Sequence, residues 1–246
     1  MTLHVTLSPT PRPGLLASVA TLAEMEVALS AGADIVDLKN PAEGALGAWA
    51  EAPLKAAVAR WRAAACVTGL SATVGDQPLD ATIILAAARR TAATGVPLVK
   101  IGFPLPTDGA AQALDPVLDA LRPLARETRL IAVLFADQDP DLSAVSQFAE
   151  AGFHGVMLDT ADKAAGGLLA HLAVQRLAGF VTAARAAGLL TGLAGSLKLE
   201  DIAPLAALQP HYLGFRGALC ATGRTSSLDP ARLARVREDL KGRVAA

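Results

Sequence analysis

The chain has 246 residues, of which 52% are hydrophobic and 18% are charged, and its formal net charge is −1. This length suits one large domain or two small ones, and the balanced charge argues against a nucleic-acid or anionic-membrane partner. The chain has no stretch of about 18 uninterrupted apolar residues, so no transmembrane helix is expected. Its start lacks the charged and apolar regions of a signal peptide. We therefore expect a cytoplasmic globular protein.

Cysteine and lysine usage narrows the chemistry further. Cys66 and Cys220 lie far apart and belong to no CxxC motif or Cys/His cluster, which favours a reducing compartment and predicts no structural zinc. The cations comprise 16 arginines and 6 lysines. Because the two side chains are not chemically interchangeable, the few positions that carry lysine are candidates for a chemical role.

Residues 1–13, with Pro9, Pro11 and Pro13, are predicted to form a leader. After them, short apolar runs alternate with longer segments rich in Ala, Leu and Arg. The short runs predict strands at Leu15–Val19, Asp34–Lys39, Cys66–Ala72, Leu98–Ile101, Leu130–Ala136, Gly155–Asp159, Leu190–Ala194 and Tyr212–Phe215. The longer segments predict helices at Leu22–Ala31, Ala52–Ala64, Leu79–Thr94, Ala110–Arg126, Asp141–Ala151, Ala170–Ala187, Leu199–Leu208 and Pro230–Leu240.

Near-continuous apolar strands joined by amphipathic helices are typical of a parallel sheet covered by helices. Eight such units in about 240 residues match the size of a (β/α)8 TIM barrel. A doubly wound open sheet is the competing architecture, but its usual glycine-rich turn is missing from SVATLAEME after the first strand. The chain also lacks Walker A, GxGxxG, HExxH and GxSxG motifs. The sequence therefore predicts an α/β fold with a single TIM-barrel catalytic domain over residues 14–246.

Two lysines are predicted to point into the barrel mouth, where TIM barrels place their active sites. Strand alternation puts Asp37 and Lys39 on one face of the second strand and turns Lys100 inward on the fourth. Neighbouring, partly buried amines favour each other's neutral form, and a neutral amine attacks a carbonyl carbon to form a Schiff base. A nearby aspartate can shuttle the proton. The alternative is that each lysine only pairs with a carboxylate at the rim.

Further strand ends supply polar groups. Asp159 and Lys163 stand in LDTADK after the sixth strand, where a short loop would fold Lys163 over the site; a solvated surface lysine is the alternative. Asp137, after the fifth strand, is more simply a rim carboxylate that binds backbone amides.

LAGSL after the seventh strand and GFRG at the eighth have the form of a barrel phosphate site. The candidate residues are Gly195, Ser196, Gly214 and Gly217, and Arg216 would add a fork-like charged contact. The alternatives are that Ser196 caps the helix that follows and that the glycines only serve tight turns.

Six segments together identify a family that the chain resembles. They are GADIVDLKNPAEGALGA, SATVGD, LVKIGF, MLDTADK, LAGSLK and GFRGALC. They resemble (5-formylfuran-3-yl)methyl phosphate synthase of methanofuran biosynthesis, also named 4-(hydroxymethyl)-2-furancarboxaldehyde phosphate synthase. The similarity runs over nearly the whole chain after the leader.

The resemblance implies a lyase that condenses two molecules of glyceraldehyde 3-phosphate, with release of phosphate and water. It implies Lys39 as the Schiff-base residue and Lys100 as the proton acceptor. Asp37, Asp159 and Lys163 correspond to further family positions, and all five residues are present. No cofactor or metal is implied.

The expected partner is a small triose phosphate, with no nucleic acid and no membrane, and we expect a homo-oligomer. Three alternative functions stay open at this point. They are a class I aldolase for another sugar phosphate, a barrel isomerase with Asp37 as base, and a barrel without catalysis that acts as a scaffold or sensor.

Overall fold

The computed structural model describes residues 12–104 and 114–242. Eight parallel strands pair in chain order and close into a barrel, because the last strand pairs with the first. The strands are β1 (Gly14–Val19), β2 (Ile35–Leu38), β3 (Gly69–Thr73), β4 (Leu98–Phe103), β5 (Arg129–Phe135), β6 (Gly155–Asp159), β7 (Leu190–Leu193) and β8 (Tyr212–Phe215). The predicted α/β TIM barrel is confirmed.

Helices surround the barrel, and short polar side chains cap the amino-terminal ends of several of them. The hydroxyl of Thr21 accepts the N–H of Glu24 at 3.2 Å, and the carboxylate of Asp80 accepts the N–H of Ile83 at 2.8 Å. The helices are α1 (Leu22–Ser30), α2 (Glu51–Ala64), α3 (Ala81–Ala93), α4 (Leu114–Ala125), α5 (Val145–Glu150), α6 (Leu168–His171), α7 (Val174–Ala186), α8 (Ile202–Ala206) and α9 (Pro230–Gly242).

Several predicted boundaries differ from the observed ones. The third strand begins at Gly69 rather than Cys66, and the predicted helix 170–187 is two helices separated at Leu172, whose extended backbone ends the first. The predicted helices 141–151 and 199–208 each begin as a 3-10 turn. Leader residues 1–11 and helix positions 110–113 lie outside the described residues.

The strands carry two separate cores, which confirms the predicted alternation. Val36 and Leu38 of β2 and Val99 and Ile101 of β4 pack outward in the layer between barrel and helices. Inside the barrel, a smaller core is formed by side chains that include Leu16, Ile131, Val133, Met157 and Tyr212. The alternate positions of the strands, among them Asp37 and Lys100, therefore face the barrel interior.

Strand register brings three polar residues into one row of the barrel. Ser18 of β1 pairs with Asp37 of β2, which in turn pairs with Ser71 of β3. This row lies toward the carboxyl ends of the strands, above the apolar interior. Among the helices described, none is both long and apolar enough to cross a membrane.

The barrel interior depends on a close approach between Gly192 and Tyr212. A Cβ atom at residue 192 would lie 2.3 Å from the Tyr212 ring. We expect Gly192→Ala to lower the free energy of unfolding by about 1–3 kcal/mol, because the ring must leave its place in a closely packed interior. Urea unfolding measures this change.

The matched control is Gly179→Ala on the exposed face of α7, where a Cβ meets nothing within 4 Å. This substitution should raise the free energy of unfolding by about 0.5–1 kcal/mol, because alanine favours the helix. Equal stabilities for the two variants would contradict the assigned packing.

Candidate active site

The carboxylate of Asp37 lies inside the barrel and has no exposed surface. The Ser71 hydroxyl donates a hydrogen bond to Oδ1 at 2.6 Å and the Ser18 hydroxyl donates one to Oδ2 at 3.0 Å. Lys100 Nζ lies 3.0 Å from Oδ2 and is itself only 1% exposed. A buried ion pair of this kind is tolerated when such hydrogen bonds satisfy its polar atoms.

Opposing effects set the pKa of Asp37. Burial acts to raise it, but the positive charges of Lys100 and Lys39 and the hydrogen bond from Ser71 outweigh burial. The pKa of the Asp37 carboxyl therefore lies below its ordinary value, and the group stays ionised at neutral pH.

A second carboxylate, Asp159 at the end of β6, binds two lysines. Lys163 Nζ lies 2.5 Å from Oδ1, and Lys39 Nζ lies 3.6 Å from Oδ2. The Thr160 N–H also donates to Oδ1 at 2.8 Å, and Lys163 donates to the backbone oxygen of Thr160. Lys163, predicted either to fold over the site or to be solvated, thus lies against the site carboxylate.

Burial acts to raise the pKa of Asp159 as well, but the nearby charges of Lys163 and Lys39 outweigh it, so this pKa also lies below its ordinary value. The pKa of Lys163 is set by a different balance of effects. Burial lowers its pKa, the attraction of Asp159 acts in the opposite direction, and repulsion by Lys39 lowers it again. The net result is a lowered pKa for the Lys163 ammonium.

The loop that carries Lys163 is fixed by Asp137. Its carboxylate accepts the N–H of Ala161 at 2.8 Å and the N–H of Asp162 at 2.7 Å. The interpretation of Asp137 as a rim carboxylate that binds backbone amides is confirmed.

Lys39, Lys100 and Lys163 line a cavity of about 310 Å³ at the carboxyl ends of the strands. Asp37 is not among the lining residues and lies beneath Lys100. The predicted site residues that do line it are Lys39, Lys100, Asp159, Lys163, Gly195, Ser196, Gly214, Arg216 and Gly217.

The segments predicted to bind phosphate border this cavity, and two of their residues have an unusual backbone conformation. Gly195 and Ser196 both have positive φ, at 111° and 47°, and a Cβ at 195 would lie 3.0 Å from Thr160 Cγ2. A Cβ at Gly214 would lie 3.0 Å from Ala194, whereas one at Gly217 would meet nothing within 4 Å. Within residues 12–104 and 114–242, no backbone carbonyl accepts the N–H of Gly195, Ser196 or Gly217. These amides are therefore open to a ligand.

Ser196 does not cap the following helix, contrary to the alternative interpretation of this residue. The turn there begins at Lys198, whose N–H donates to Asp201 at 2.8 Å, and Ser196 is exposed at the cavity rim.

The Arg216 side chain differs from the fork-like ligand contact that was predicted. Its guanidinium forms a buried pair with Glu24, with atoms 2.5 and 3.2 Å apart. It also donates to the backbone oxygens of Ser18, Arg224 and Ser226, at 3.2, 2.7 and 2.8 Å. All five N–H groups of the guanidinium are thus occupied by the protein itself, and only the backbone of this residue is free to contact a ligand.

Sequence reasoning missed three residues of this region, namely Ser18, Glu24 and Arg224. Ser18 had a detectable signal, because it shares the inward parity of Leu16 on β1. The roles of Glu24 and Arg224 depend on contacts with residues 192 and 180 positions away, respectively, for which the sequence holds no local signal. No group of three His, Cys, Asp or Glu side chains suited to a metal ion occurs among the described residues.

Comparison with protein families matches residues 15–237 to the family described as 4-HFC-P synthase. A (5-formylfuran-3-yl)methyl phosphate synthase of Archaeoglobus fulgidus is 30% identical over 239 residues, covering 93% of this chain and 99% of that protein. One from Methanopyrus kandleri is 34% identical over 223 residues, covering 86% and 91%. A Methylorubrum extorquens protein provisionally given the same name is 42% identical over 233 residues, covering 94% and 92%.

Solved structures support the fold. A phosphoribosyl anthranilate isomerase from Thermus thermophilus superposes with a TM-score of 0.61 at 15% identity, covering 93% of this chain and 98% of that one. A KGPDC from Streptococcus mutans superposes with a TM-score of 0.58 at 12% identity, covering 96% and 100%. At such identities the likeness concerns the barrel alone.

The buried Asp37–Lys100 pair makes a stability prediction. Asp37→Asn should lower the free energy of unfolding by about 3–5 kcal/mol, because it leaves a buried ammonium without its counter-ion. Asp37→Asn combined with Lys100→Met should recover much of that loss, since the buried charge is then gone. Asp119→Asn on exposed α4 is the control, with a change within about 0.5 kcal/mol. Urea unfolding measures these free energies. An Asp37→Asn variant as stable as the original protein would contradict the assigned ion pair.

The lowered pKa values of Asp37 and Asp159 predict acid sensitivity. A carboxyl whose folded-state pKa is depressed contributes stability above the ordinary value of about 4 and loses it as the pH falls through the folded-state pKa. The fall in unfolding free energy on acidification should therefore be smaller in Asp159→Asn than in the original protein. Asp119→Asn on exposed α4 is the control. Identical acid profiles for Asp159→Asn and the original protein would contradict the prediction.

Proposed function

The chain belongs to the 4-HFC-P synthase family, and from this premise we propose that it is a lyase that makes (5-formylfuran-3-yl)methyl phosphate for methanofuran biosynthesis. Two molecules of glyceraldehyde 3-phosphate condense, and one phosphate and two water molecules leave. The observation that carries the proposal is the meeting of Lys39, Lys100 and Lys163 with two buried carboxylates in one cavity.

Lys39 is the proposed Schiff-base residue. Its amine lies 3.6 Å from the nearest carboxylate oxygen, a looser pairing than the 3.0 Å of Lys100 and the 2.5 Å of Lys163. The Asp159 carboxylate is moreover shared with Lys163, so the two amines together exceed the negative charge that holds them. The attack on an aldehyde requires an unprotonated amine.

Lys100 is the proposed proton acceptor. It lines the cavity, whereas Asp37 lies beneath it, so Lys100 is the group that reaches substrate and Asp37 acts through it. Transfer of a proton from the Lys100 ammonium to Asp37 frees the amine that accepts the substrate proton. After Lys100 accepts a proton, the Asp37 carboxyl group 3.0 Å away stabilises the ammonium that results. The hydrogen bonds from Ser18 and Ser71 hold that group in place.

The proposed reaction passes through an imine on Lys39. Lys39 condenses with the aldehyde of the first triose, losing water, and the imine acidifies the adjacent C–H. Lys100 removes that proton. The second triose loses its phosphate together with its C2 proton, and the enamine carbon bonds to the terminal carbon of the resulting 2-hydroxypropenal, whose C2 is then reprotonated. The C2 hydroxyl closes the ring on the aldehyde carbon released from the imine, and two dehydrations give the aromatic furan. The water lost on forming the imine is returned when the imine is released. The imine is the electron sink, so the scheme requires no cofactor.

The retained phosphate is proposed to lie on the open amides of Gly195, Ser196 and Gly217. Gly214 lines the same cavity where its backbone packs closely against Ala194, and Arg216 fixes the local backbone through its pair with Glu24. The substrate is thus a small triose phosphate. A cytoplasmic location and a homo-oligomeric state stay predictions from the sequence.

The three alternative functions differ from the proposed one in what they require of the site. A class I aldolase for another sugar phosphate shares Lys39 but releases no inorganic phosphate. An isomerase with Asp37 as its base needs Asp37 to touch substrate, and the burial of that carboxylate beneath Lys100 argues against it. A scaffold without catalysis gives no account of three clustered amines.

Borohydride reduction in the presence of glyceraldehyde 3-phosphate tests the imine directly. We expect a reduced triose adduct on Lys39, mapped by peptide mass spectrometry, with inorganic phosphate release and growing furan absorbance in the unreduced reaction. Lys39→Arg should abolish the adduct and the product, whereas the matched control Lys55→Arg on exposed α2 should retain both. Activity should fall at acid pH, because imine formation needs an unprotonated amine.

The other outcomes are equally informative. An active protein from which no lysine is ever trapped would sink the imine mechanism. An adduct on Lys100 or Lys163 would reassign the nucleophile, and trapping without phosphate release would favour the aldolase.

A further inference from the structure

After β8, the chain forms a short loop at the mouth of the barrel, over residues 220–228. Cys220 and Leu228 form an antiparallel bridge, and the N–H of Ala221 donates to the backbone oxygen of Ser227 at 3.2 Å. At the tip, the N–H of Ser226 donates to the backbone oxygen of Gly223 at 2.9 Å. Arg224 therefore occupies the tip of a closed turn.

The buried Arg216–Glu24 pair holds this tip from below. Arg216 donates to the backbone oxygen of Arg224 at 2.7 Å and to that of Ser226 at 2.8 Å. Glu24 also accepts the N–H of Leu228, at 3.3 Å, at the end of this loop. One buried cation thus fixes the backbone from which a second cation projects.

The side chain of Arg224 extends over the cavity and is only partly exposed. Its Nη2 atom donates to the backbone oxygen of Gly44 at 3.0 Å, in the loop that follows β2, two strands from β8 around the barrel. Among residues 12–104 and 114–242, no carboxylate lies within ion-pair distance of its guanidinium. Burial lowers the pKa of this guanidinium, Asp159 acts in the opposite direction and Arg216 lowers it further, yet arginine stays charged at any working pH.

The charges around the cavity do not balance. Arg216 is paired with Glu24, and Lys100 is paired with Asp37. Lys39 and Lys163 share the single carboxylate of Asp159, which leaves one positive charge. Arg224, on which Asp159 and Asp76 act without an ion pair among the described residues, adds another. A phosphate monoester carries a charge of about −1.5 to −2 at neutral pH and would neutralise this excess.

We propose that Arg224 binds a phosphate group of the substrate at the mouth of the cavity that the open amides of Gly195, Ser196 and Gly217 also line. The guanidinium fork supplies two parallel N–H groups to phosphate oxygens, and Gly44 fixes its remaining edge. Arg216, predicted from the sequence for this contact, instead positions the segment that delivers Arg224. The ligand class, a phosphorylated sugar, rests on the proposed function.

The test compares two variants that keep the length of the side chain, Arg224→Met and Arg224→Lys. Inorganic phosphate is titrated by calorimetry at constant ionic strength. We expect the Kd for phosphate to rise about 10- to 100-fold in Arg224→Met, because a charged hydrogen-bond donor is lost, and to rise less in Arg224→Lys, which keeps the charge without the fork. Arg235→Met on α9, whose side chain is 62% exposed, is the matched control and should bind phosphate within twofold of the original protein.

A second measurement separates this inference from the proposed reaction. Borohydride trapping is titrated with glyceraldehyde 3-phosphate and with unphosphorylated glyceraldehyde. In Arg224→Met the half-saturating concentration should rise about 10- to 100-fold for the phosphorylated aldehyde and stay unchanged for the other. Absence of any adduct in the original protein would remove the imine reaction but leave the phosphate titration to decide on Arg224. Unchanged phosphate binding in Arg224→Met, or an equal loss in Arg235→Met, would overturn the assignment.

Discussion

The burial of the Asp37 carboxylate beside the Lys100 ammonium is the constraint on which the rest of the site depends. Each of these ions would cost several kcal/mol to remove from water if it were unpaired. Strand register solves this problem, because the rows of β1, β2 and β3 place Ser18 and Ser71 on either side of Asp37. Four polar groups therefore satisfy one another at 2.6–3.0 Å inside an otherwise apolar barrel. Any slip of one strand would break this arrangement, so the fold and the position of the Lys100 amine are determined together.

Above this pair, the site has more amines than carboxylates. Asp159 is shared by Lys39 and Lys163, at distances of 3.6 and 2.5 Å, so no arrangement of these three residues is electrically neutral with both amines protonated. Two events relieve the imbalance, namely loss of a proton from an amine and arrival of an anion. The first prepares a nucleophile and the second binds a phosphorylated substrate. The same excess charge thus serves both requirements of the proposed reaction.

The sequence predicted those parts of the site that depend on local periodicity. Strand alternation alone turned Asp37 and Lys100 inward, and the position at the end of β6 brought Asp159 to the mouth. The conformational break at Leu172 was missed because the surrounding Ala- and Leu-rich sequence favours a continuous helix. Arg216 was placed correctly but given the wrong contact, since its partner Glu24 is 192 residues away and reaches it only after the barrel closes. Long-range pairing of this kind leaves no trace in the spacing of residues.

Arg216 and Arg224 illustrate why environment rather than residue type decides a role. They stand eight positions apart and carry the same charge, yet one has all five donors satisfied by the protein and the other faces the cavity with one acceptor among the described residues. The distinction extends to the lysines. A lysine loses its proton readily when burial and like charges oppose it, whereas an arginine does not. In a chain that uses arginine as its ordinary cation, the largely buried lysines of the cavity, Lys39, Lys100 and Lys163, therefore stand where a proton has to move, and Arg224 stands where a positive charge has to remain.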